Sequence, residues 1–373
     1  MTDPRNTQLA KVFVEHSLDV QKGDKVVIST SDLYTEDLIR ECYKLAVKKG
    51  AIVYLDIMGW NYFLDRSSFG GYSKMFLDLA TKEQILNPPE IYKNIAEWGD
   101  KFIRITSLDN YVHLAGVDEE KLKLKSKSYH DWFRIIIDSK KWVLTYYPTL
   151  AMAQQAGMSL SELEDFFFSS TLVDYEAMRI NGEKIAKLID DTKEIHIIGD
   201  KTDLYLDITG RLACNGCGYI NIPDGEVFCA PVHQKTHGYI YYDLPFSKSN
   251  EEINGAYLEF EKGKVVKATA ESGEQALLDG LATDEGASYL GELGLGINYG
   301  IDRVMKNTLF DEKIGGTVHV TLGAAYESER GGAPDNMRNK SAIHWDLVKD
   351  MRKPGSIIEA DGKIVFKEGK WLV

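Results

Sequence analysis

The sequence predicts an α/β fold in two domains: an N-terminal α/β domain with a mostly parallel sheet, and a strand-rich α+β C-terminal domain. Three observations support this prediction. The chain has 373 residues, a length that usually forms two domains. Strand-like and helix-like patterns alternate through the first half. Beyond about residue 195, apolar and polar residues alternate with a period of two between glycine-rich turns.

The first half opens with a predicted βαβ unit. The apolar run Val26–Ser29 indicates a buried strand, and residues Leu33–Val47 carry apolar side chains at helical spacing. Gly50 ends this helix, and the run Ala51–Leu55 indicates the next strand. Because a crossover helix of this length joins neighbouring parallel strands, the unit predicts a parallel pair that is buried on both faces.

The same alternation continues along the first half. Strands are predicted at Phe102–Ile105 and Trp142–Thr145, and the stretch Glu119–Ser139 between them is polar and helical. Ser159 has the pattern of an N-cap residue ahead of an amphipathic run. These elements indicate an α/β domain that a helical segment closes.

The domain boundary is predicted where helical spacing gives way to strand alternation. It gives an N-terminal domain of residues 1–192 and a C-terminal domain of residues 193–373. The second domain is expected to be rich in strands, because period-two alternation recurs at Asp203–Ile208, Gly238–Tyr242 and Thr317–Thr321.

Composition narrows the range of partners and compartments. The chain carries 44 basic and 57 acidic residues, a net charge of −13, which is opposite in sign to that of a nucleic-acid-binding protein. No stretch approaches the apolar length of a membrane span, and the first residues lack the pattern of a signal peptide. With four cysteines in this length, the sequence predicts a cytoplasmic protein with free thiols, no nucleic-acid partner and no membrane contact.

Two glutamates in the second half stand in surroundings that indicate a function. Glu226 follows the tight turn formed by residues 223–225, so it is either a solvated residue after a turn or a side chain held rigidly at a strand edge. Glu292 lies among small, apolar and glycine residues, where an unpaired charge is costly. It therefore needs either a cationic partner, for which Arg303 is a candidate, or a metal ion.

Two histidines and one aspartate complete the candidate set. His319 shares a strand face with Thr317 and Thr321, and it is either a hydrogen-bonded core residue or a ligand. His344 and Asp346 are two residues apart, so on a strand their side chains point the same way. Such a pair is common among metal ligands and also arises by coincidence.

Taken together, these residues predict a dinuclear metal site. A single catalytic zinc is typically held by about three protein groups, whereas a pair of ions needs about five or six. The available ligands are imidazole and carboxylate without thiolate, as in hydrolytic sites for two divalent ions such as Zn²⁺, Co²⁺, Mg²⁺ or Mn²⁺. The five candidates are Glu226, Glu292, His319, His344 and Asp346.

Other chemistries have weaker support. Cys214 and Cys217 form a Cys-x-x-Cys pair that could join Cys229 and His233 or His237 in a zinc site, but there is no second such pair. Signatures of P-loop, dinucleotide-binding, serine-hydrolase and single-zinc helix proteins are absent from the sequence. Two alternatives stay open: a two-metal hydrolase of a non-peptide amide or ester, and a non-catalytic protein that binds a small ligand.

Four blocks of the sequence resemble the M29 aminopeptidases, the family of thermophilic aminopeptidases and aminopeptidases S and T. The similarity extends over most of the chain and is densest in these blocks. They are Asn221–Phe228, Gly286–Glu292, Asn307–His319 with Gly323–Tyr326, and Asn339–Asp346.

The resemblance implies a metal-dependent aminopeptidase. It implies a homodimer whose two-domain subunits enclose the active sites in an internal cavity, which favours short peptides as substrates. It also implies that Tyr326 is the active-site tyrosine, which we expect to donate a hydrogen bond to the oxyanion of the tetrahedral intermediate. The family's metal ligands fall on Glu226, Glu292, His319, His344 and Asp346.

The expected reaction is hydrolysis of the N-terminal residue from short peptides by a metal-activated hydroxide. Glu292 is expected to be a catalytic residue that serves both ions. We expect Glu226 to complete the ligands of one ion with His344 or Asp346, and His319 to complete those of the other ion with the remaining residue.

Overall fold

The computed structural model describes residues 3–30, 34–57, 71–248 and 251–373. The chain forms two compact units: one comprises Met1–Leu172 and Gly218–Ile222, and the other comprises Val173–Cys217 and Pro223–Val373. The domain boundary placed after residue 192 stays a prediction, because a compact unit is not necessarily a domain that folds by itself.

The strands of the described residues are numbered in chain order. They are β1 (Lys25–Thr30), β2 (Ile52–Ile57), β3 (Lys101–Thr106), β4 (Lys141–Tyr146), β5 (Glu194–Gly199), β6 (Thr202–Asp207), β7 (Cys214–Gly216), β8 (Asn221–Ile222), β9 (Glu226–Cys229), β10 (His237–Tyr241), β11 (Phe246–Lys248), β12 (Glu251–Ile253), β13 (Tyr257–Glu261), β14 (Lys264–Thr269), β15 (Leu290–Gly296), β16 (Thr317–Gly323), β17 (His344–Asp350), β18 (Ile357–Ala360), β19 (Lys363–Lys367) and β20 (Lys370–Trp371).

The α-helices of the described residues are numbered in the same way. They are α1 (Pro4–Lys11), α2 (Glu36–Lys48), α3 (Tyr72–Leu79), α4 (Lys82–Leu86), α5 (Ile91–Trp98), α6 (Glu119–Ser139), α7 (Leu150–Ala156), α8 (Leu160–Thr171), α9 (Tyr175–Asp190), α10 (Glu274–Leu281) and α11 (Thr308–Asp311). A π-helical segment, Val12–Ser17, follows α1, and short 3₁₀ turns cover His233–Lys235 and Gly286–Ser288.

The first unit contains the predicted parallel sheet. Its strand order is β2-β1-β3-β4-β8, and every neighbouring pair is parallel. The predicted βαβ unit is confirmed as β1, α2 and β2, although the predicted helix start at Leu33 lies outside the described residues. Burial on both faces holds for β1 but is wrong for β2, where Ile52 is 56% exposed, because β2 is the edge strand.

Capping residues in the sequence determine where helices of this unit begin. Ser159 caps α8 through a capping box with Glu162, which confirms the predicted N-cap. Asp118 caps α6 by accepting a hydrogen bond from the Glu120 backbone N–H, 2.7 Å away. Among the described residues, no helix combines the length and the apolar character needed to cross a bilayer.

The second unit is built from two larger antiparallel sheets, which confirms the strand-rich prediction. One has the order β14-β13-β10-β6-β5-β18-β19-β20, and the other has the order β17-β16-β15-β9-β7. A two-stranded hairpin, β11-β12, accompanies them. Every residue of β15 and of β16 is buried, so the five-stranded sheet forms the interior that carries the candidate residues.

Candidate metal centre

The five candidate residues lie on one antiparallel sheet. Strands β9, β15, β16 and β17 are consecutive neighbours in it, so residues far apart in sequence meet on one face. The candidates are Glu226 in β9, Glu292 in β15, His319 in β16, and His344 and Asp346 in β17.

The strand register brings the carboxylates together. Thr321 in β16 lies opposite Glu292 on one side and opposite Asp346 on the other. Gly323, two residues further along β16, lies opposite His344. Because directly opposed side chains share a face of the sheet, these three candidates point into the same space.

Gly294 makes room for the imidazole of His319. It lies opposite His319 across the β15–β16 pair and opposite Phe228 across the β15–β9 pair. A Cβ atom at Gly294 would stand 1.8 Å from His319 Nε2. The imidazole therefore lies over the glycine, and any larger residue there would displace it.

Glu226 is held by a fixed turn. Gly225 has a φ of +131°, and a Cβ atom on it would stand 2.7 Å from the Cβ of Asn298. The Asn298 side-chain amide donates a hydrogen bond to the Asp224 carbonyl at 2.8 Å. Glu226 is 8% exposed, so the rigid-turn interpretation holds and the solvated alternative is wrong.

Three of the candidates form a group that we call the Glu226 half: Glu226, Glu292 and His319. One potential ligand atom from each lies within 4.8 Å of the others. His319 Nε2 is 3.3 Å from Glu226 Oε2 and 3.3 Å from Glu292 Oε1. All three side chains are buried.

The second group, which we call the Asp346 half, contains Glu292, His344 and Asp346. It meets the same 4.8 Å criterion. His344 Nε2 is 3.4 Å from Asp346 Oδ1, and the Thr321 hydroxyl donates a 2.5 Å hydrogen bond to the same oxygen. Glu292 belongs to both halves, as expected for a shared carboxylate. The expected pairing of Glu226 with His344 or Asp346 is not observed, because Glu226 groups with His319 instead.

Both imidazoles are oriented by backbone carbonyls. His319 Nδ1 is 3.0 Å from the Glu312 carbonyl oxygen, and His344 Nδ1 is 2.8 Å from the Ala324 carbonyl oxygen. An Nδ1–H that donates to a carbonyl leaves Nε2 to face the ligand. Metal-ligating histidines have this arrangement, and so do hydrogen-bonded histidines of a protein core, so the role of His319 as a ligand stays a prediction.

Two carboxylate oxygens also fit a cation. Oε2 of Glu226 and Oε2 of Glu292 are buried and accept no hydrogen bond from the described residues. Buried carboxylate oxygens normally accept hydrogen bonds, so these two are suited to contact a bound cation. The donor set of imidazole and carboxylate, without thiolate, suits divalent ions of the hydrolytic type.

The crowded charges shift the pKa values of these groups. Burial alone would lower the pKa of His319, but its hydrogen bond to Glu292 and the nearby carboxylates raise it to about 9. Burial opposes the charge of His344 in the same way, yet Asp346 raises its pKa to about 10. Burial raises the pKa of Glu292, and His344 holds the pKa of Asp346 well below its usual range despite burial. Without an ion, protons on the imidazoles therefore balance the carboxylates.

A family model described as thermophilic metalloprotease (M29) matches residues 2–371. The chain belongs to this family. The resemblance stated from the sequence is thereby confirmed, together with the expectation of a metal-dependent peptidase.

Individual members of the M29 family match along nearly the whole chain. Aminopeptidase AmpS of Bacillus subtilis is 28% identical, with 97% of each chain covered. Aminopeptidase T of Thermus thermophilus is 26% identical, with 98% of each chain covered. These matches leave little of this M29 chain without a counterpart.

Solved structures share the fold of this M29 chain. Wild-type AmpT from Thermus thermophilus superimposes with a TM-score of 0.83 at 23% identity, covering 99% of each chain. A 2,5-dihydroxypyridine dioxygenase from Pseudomonas putida KT2440 gives a TM-score of 0.59 at 15% identity, covering 99% of this chain and 98% of that one. At these identities the likeness establishes the α/β fold and nothing about chemistry.

Tyr326 stands at the mouth of the M29 site. Its ring centroid is 5.1 Å from that of His344 and 6.3 Å from that of Phe228, and its side chain is 54% exposed. Loss of solvent around the phenol is the main cause that raises its pKa, and the nearby carboxylates of Glu292 and Asp346 raise it further. The phenol therefore stays protonated. A protonated phenol beside the imidazole is available as a hydrogen-bond donor.

The sequence analysis missed two charged residues at this centre, Glu312 and Lys313. Lys313 is fully buried, and its Nζ lies 3.3 Å from Glu226 Oε1 and forms an ion pair with the Glu312 carboxylate. The available signal was a run of three charges, residues 311–313, between the apolar residues Phe310 and Ile314. Such a run in a buried stretch requires partners.

The structure removes two competing interpretations. Arg303, the candidate cationic partner of Glu292, pairs with Asp302 at 3.2 Å instead. The four cysteines are free thiols, and burial raises the pKa of Cys214 to about 11 and that of Cys217 to about 12. Within the described residues, the groups that could hold a metal contain no cysteine.

Proposed function

We propose that this chain is an aminopeptidase that uses two divalent metal ions to remove the N-terminal residue from short peptides. Membership of the M29 family and the aminopeptidase names of its relatives support the reaction class. The observation that carries the two-ion proposal is that Glu292 belongs to both groups of potential ligand atoms. One carboxylate between two ligand groups is typical of a dinuclear centre.

Two groups of potential ligand atoms are available for two ions. The Glu226 half would hold one ion and the Asp346 half the other, and Glu292 would contribute to both. The native ions would be Zn²⁺, Co²⁺, Mg²⁺ or Mn²⁺, which these oxygen and nitrogen ligands accept. When bound, two such ions supply an activated water and polarise the scissile carbonyl.

The chain's own groups prepare this site for catalysis. The backbone carbonyls of Glu312 and Ala324 fix both imidazoles, and Thr321 fixes Asp346, so the ligands do not have to reorganise. Tyr326 donates a hydrogen bond from its phenol to the oxyanion that develops on the substrate carbonyl. One such donor typically contributes about 3 kcal/mol to transition-state stabilisation.

Turnover of aminoacyl-p-nitroanilides tests the proposal. Protein stripped by a chelator should be inactive and should regain activity with Co²⁺, Zn²⁺, Mn²⁺ or Mg²⁺. N-acetylated versions of the same substrates should not be cleaved, because an aminopeptidase needs the free amine. Glu292→Gln should abolish turnover, whereas Glu261→Gln, a surface change in β13, should not.

Two results would favour a function other than an aminopeptidase. Cleavage of N-acetylated amides or of simple esters at equal rates would favour a two-metal hydrolase of a non-peptide substrate. No turnover by folded protein with any of these ions would favour a non-catalytic protein that binds a small ligand.

The assembly and compartment remain proposals as well. We propose a cytoplasmic protein, as the sequence composition predicts, and a homodimer, as the family resemblance implies. Light scattering on the purified full-length chain tests the dimer, and a mass equal to one 42.0 kDa chain would contradict it.

A further inference from the structure

Lys313 places a protein cation inside the metal centre. Its side chain is fully buried, its Nζ is 3.3 Å from Glu226 Oε1, and it pairs with the Glu312 carboxylate. A buried lysine between two carboxylates keeps its charge, because neutralising it would leave buried anions without a counter-charge. Before any ion binds, the Glu226 half therefore has the ammonium of a Lys313–Glu312 ion pair in contact with Glu226.

Backbone hydrogen bonds anchor the segment that carries Lys313. The Lys313 N–H donates to the Phe310 carbonyl at 3.1 Å, and the Lys313 carbonyl accepts from the Asn298 N–H at 3.0 Å. The Asn298 side chain in turn holds the turn that precedes Glu226. Asn298 therefore links the backbone at Lys313 to the turn that precedes Glu226, so the two segments stay adjacent.

The Asp346 half has a different electrostatic environment. Apart from the contact of the shared Glu292 with His319, its polar contacts are the Thr321 hydroxyl on Asp346 and the Ala324 carbonyl at His344 Nδ1, both uncharged. Among the ion pairs of the described residues, none joins a lysine or arginine to Glu292 or Asp346. Repulsion between a fixed protein charge and a bound ion therefore acts on one half of the centre far more than on the other.

We propose that Lys313 makes the two halves of the centre unequal. The Asp346 half fills first, and the Glu226 half takes its ion later and with lower affinity, because the Lys313 ammonium opposes a second cation beside Glu226. This inference rests on the proposed function, since it requires two ions. Repulsion between charges a few ångströms apart in a buried site is strong enough to separate the two affinities by about tenfold or more.

Titration of chelator-stripped full-length protein with Co²⁺ tests the inference. Calorimetry gives the two affinities, and the visible absorption of Co²⁺ reports each half as it fills. The wild-type chain should show two unequal steps. Lys313→Met should strengthen the weaker step by about tenfold or more and leave the tighter step within about threefold. Lys313→Arg keeps the charge and should keep the inequality.

A second buried lysine provides the matched control. Lys349 in β17 is also fully buried, but it pairs with Asp243 and lies on the opposite strand face from Asp346. Lys349→Met removes a buried ammonium away from the centre and should leave both Co²⁺ steps unchanged. An equal change in Co²⁺ affinity in Lys313→Met and Lys349→Met would mean that lost stability, not the charge beside Glu226, affects metal binding.

Ligand variants assign the steps independently of Lys313. Asp346→Asn should remove the tighter step, and Glu226→Gln should remove the weaker one. The reverse assignment overturns the inference, and so does a Lys313→Met protein whose weaker step is unchanged or weakened. If Lys313→Met does not fold, as judged by circular dichroism, Lys313→Gln makes the same charge change with a polar side chain. Two Co²⁺ bound in a single step would overturn the inference, whereas a total of one Co²⁺ per chain would contradict the two-ion proposal itself.

Discussion

Glu292 shows how a single residue can link two ligand groups. It lies in a fully buried strand with one oxygen near His319 and the other without a hydrogen bond from the described residues. Burial raises the pKa of its carboxyl, and the cost of that burial is offset only when cations are near. Tyr326, half-exposed beside His344, adds a neutral donor at the rim of this charged group.

Replacement of Tyr326 by phenylalanine removes this hydrogen-bond donor and leaves the aromatic ring in place. Tyr326→Phe should lower kcat by about a hundredfold and change KM little, because the phenol acts on the oxyanion of the transition state. The ring contacts with His344 and Phe228 remain, so the melting temperature should stay within about two degrees.

Steady-state kinetics on a free-amine p-nitroanilide measures this effect. Tyr239→Phe, which removes another partly exposed hydroxyl on β10, should leave both constants unchanged. A Tyr326→Phe enzyme with wild-type kcat and raised KM would assign the phenol to substrate binding instead.

At the scale of secondary-structure elements, local sequence signals predicted individual helices and strands. Their arrangement in the sheets depends on pairing between residues that lie far apart in sequence. The capping box at Ser159 and the βαβ unit could be predicted because a few neighbouring residues determine each of them. The sequence predicted that residues of β9, β15, β16 and β17 meet at one site. The order and register of these strands could not be predicted, because strand register depends on partners that lie far apart in sequence. Lys313 was missed for a related reason: it follows a four-residue helix, where no periodicity marks burial.

Gly294 connects the strand geometry to metal binding. Gly294→Ala would place a methyl group 1.8 Å from His319 Nε2, so the imidazole or the strand must move. Overpacking of this kind typically destabilises a protein by about 1–3 kcal/mol. We expect a lower melting temperature and a larger loss of Co²⁺ affinity in the Glu226 half than in the Asp346 half.

A glycine in another strand of the same unit gives the comparison. At Gly199 in β5, an added methyl group would meet the flexible end of Lys349 at 3.1 Å, so Gly199→Ala should have a smaller effect. If Gly294→Ala binds both ions like the wild-type chain, the imidazole does not need the space above this glycine.

At the scale of the whole molecule, the fold supplies the sheet and the side chains supply the chemistry. The likeness to AmpT at a TM-score of 0.83 and to a dioxygenase at 0.59 shows that this architecture occurs in proteins with different names. The assignment of a peptidase therefore depends on the M29 match and on the ligand set, not on the fold. The same ligand set also links metal binding to the stability of the entire chain.

The pH dependence of stability follows from the two raised histidine pKa values. His319 and His344 have folded-state pKa values of about 9 and about 10, above the ordinary 6.5 that they regain on unfolding. The stabilisation from their protonation is present below about pH 6.5 and is lost as pH rises through 9 to 10. Chelator-stripped protein should therefore melt at progressively lower temperatures between about pH 6.5 and pH 9.

Metal binding should show the opposite trend, because each ion must displace the proton from the imidazole of its half. Over about pH 6 to 8.5, the apparent Co²⁺ affinity of each half should rise by about one decade per pH unit, roughly as expected for one displaced imidazole proton per ion. The increase in melting temperature caused by Co²⁺ should grow over the same range. Calorimetry in buffers of different ionisation enthalpy counts the released protons directly. A Co²⁺ affinity that does not change across this range would mean that neither imidazole is a ligand, since a ligand imidazole with these pKa values must lose its proton first.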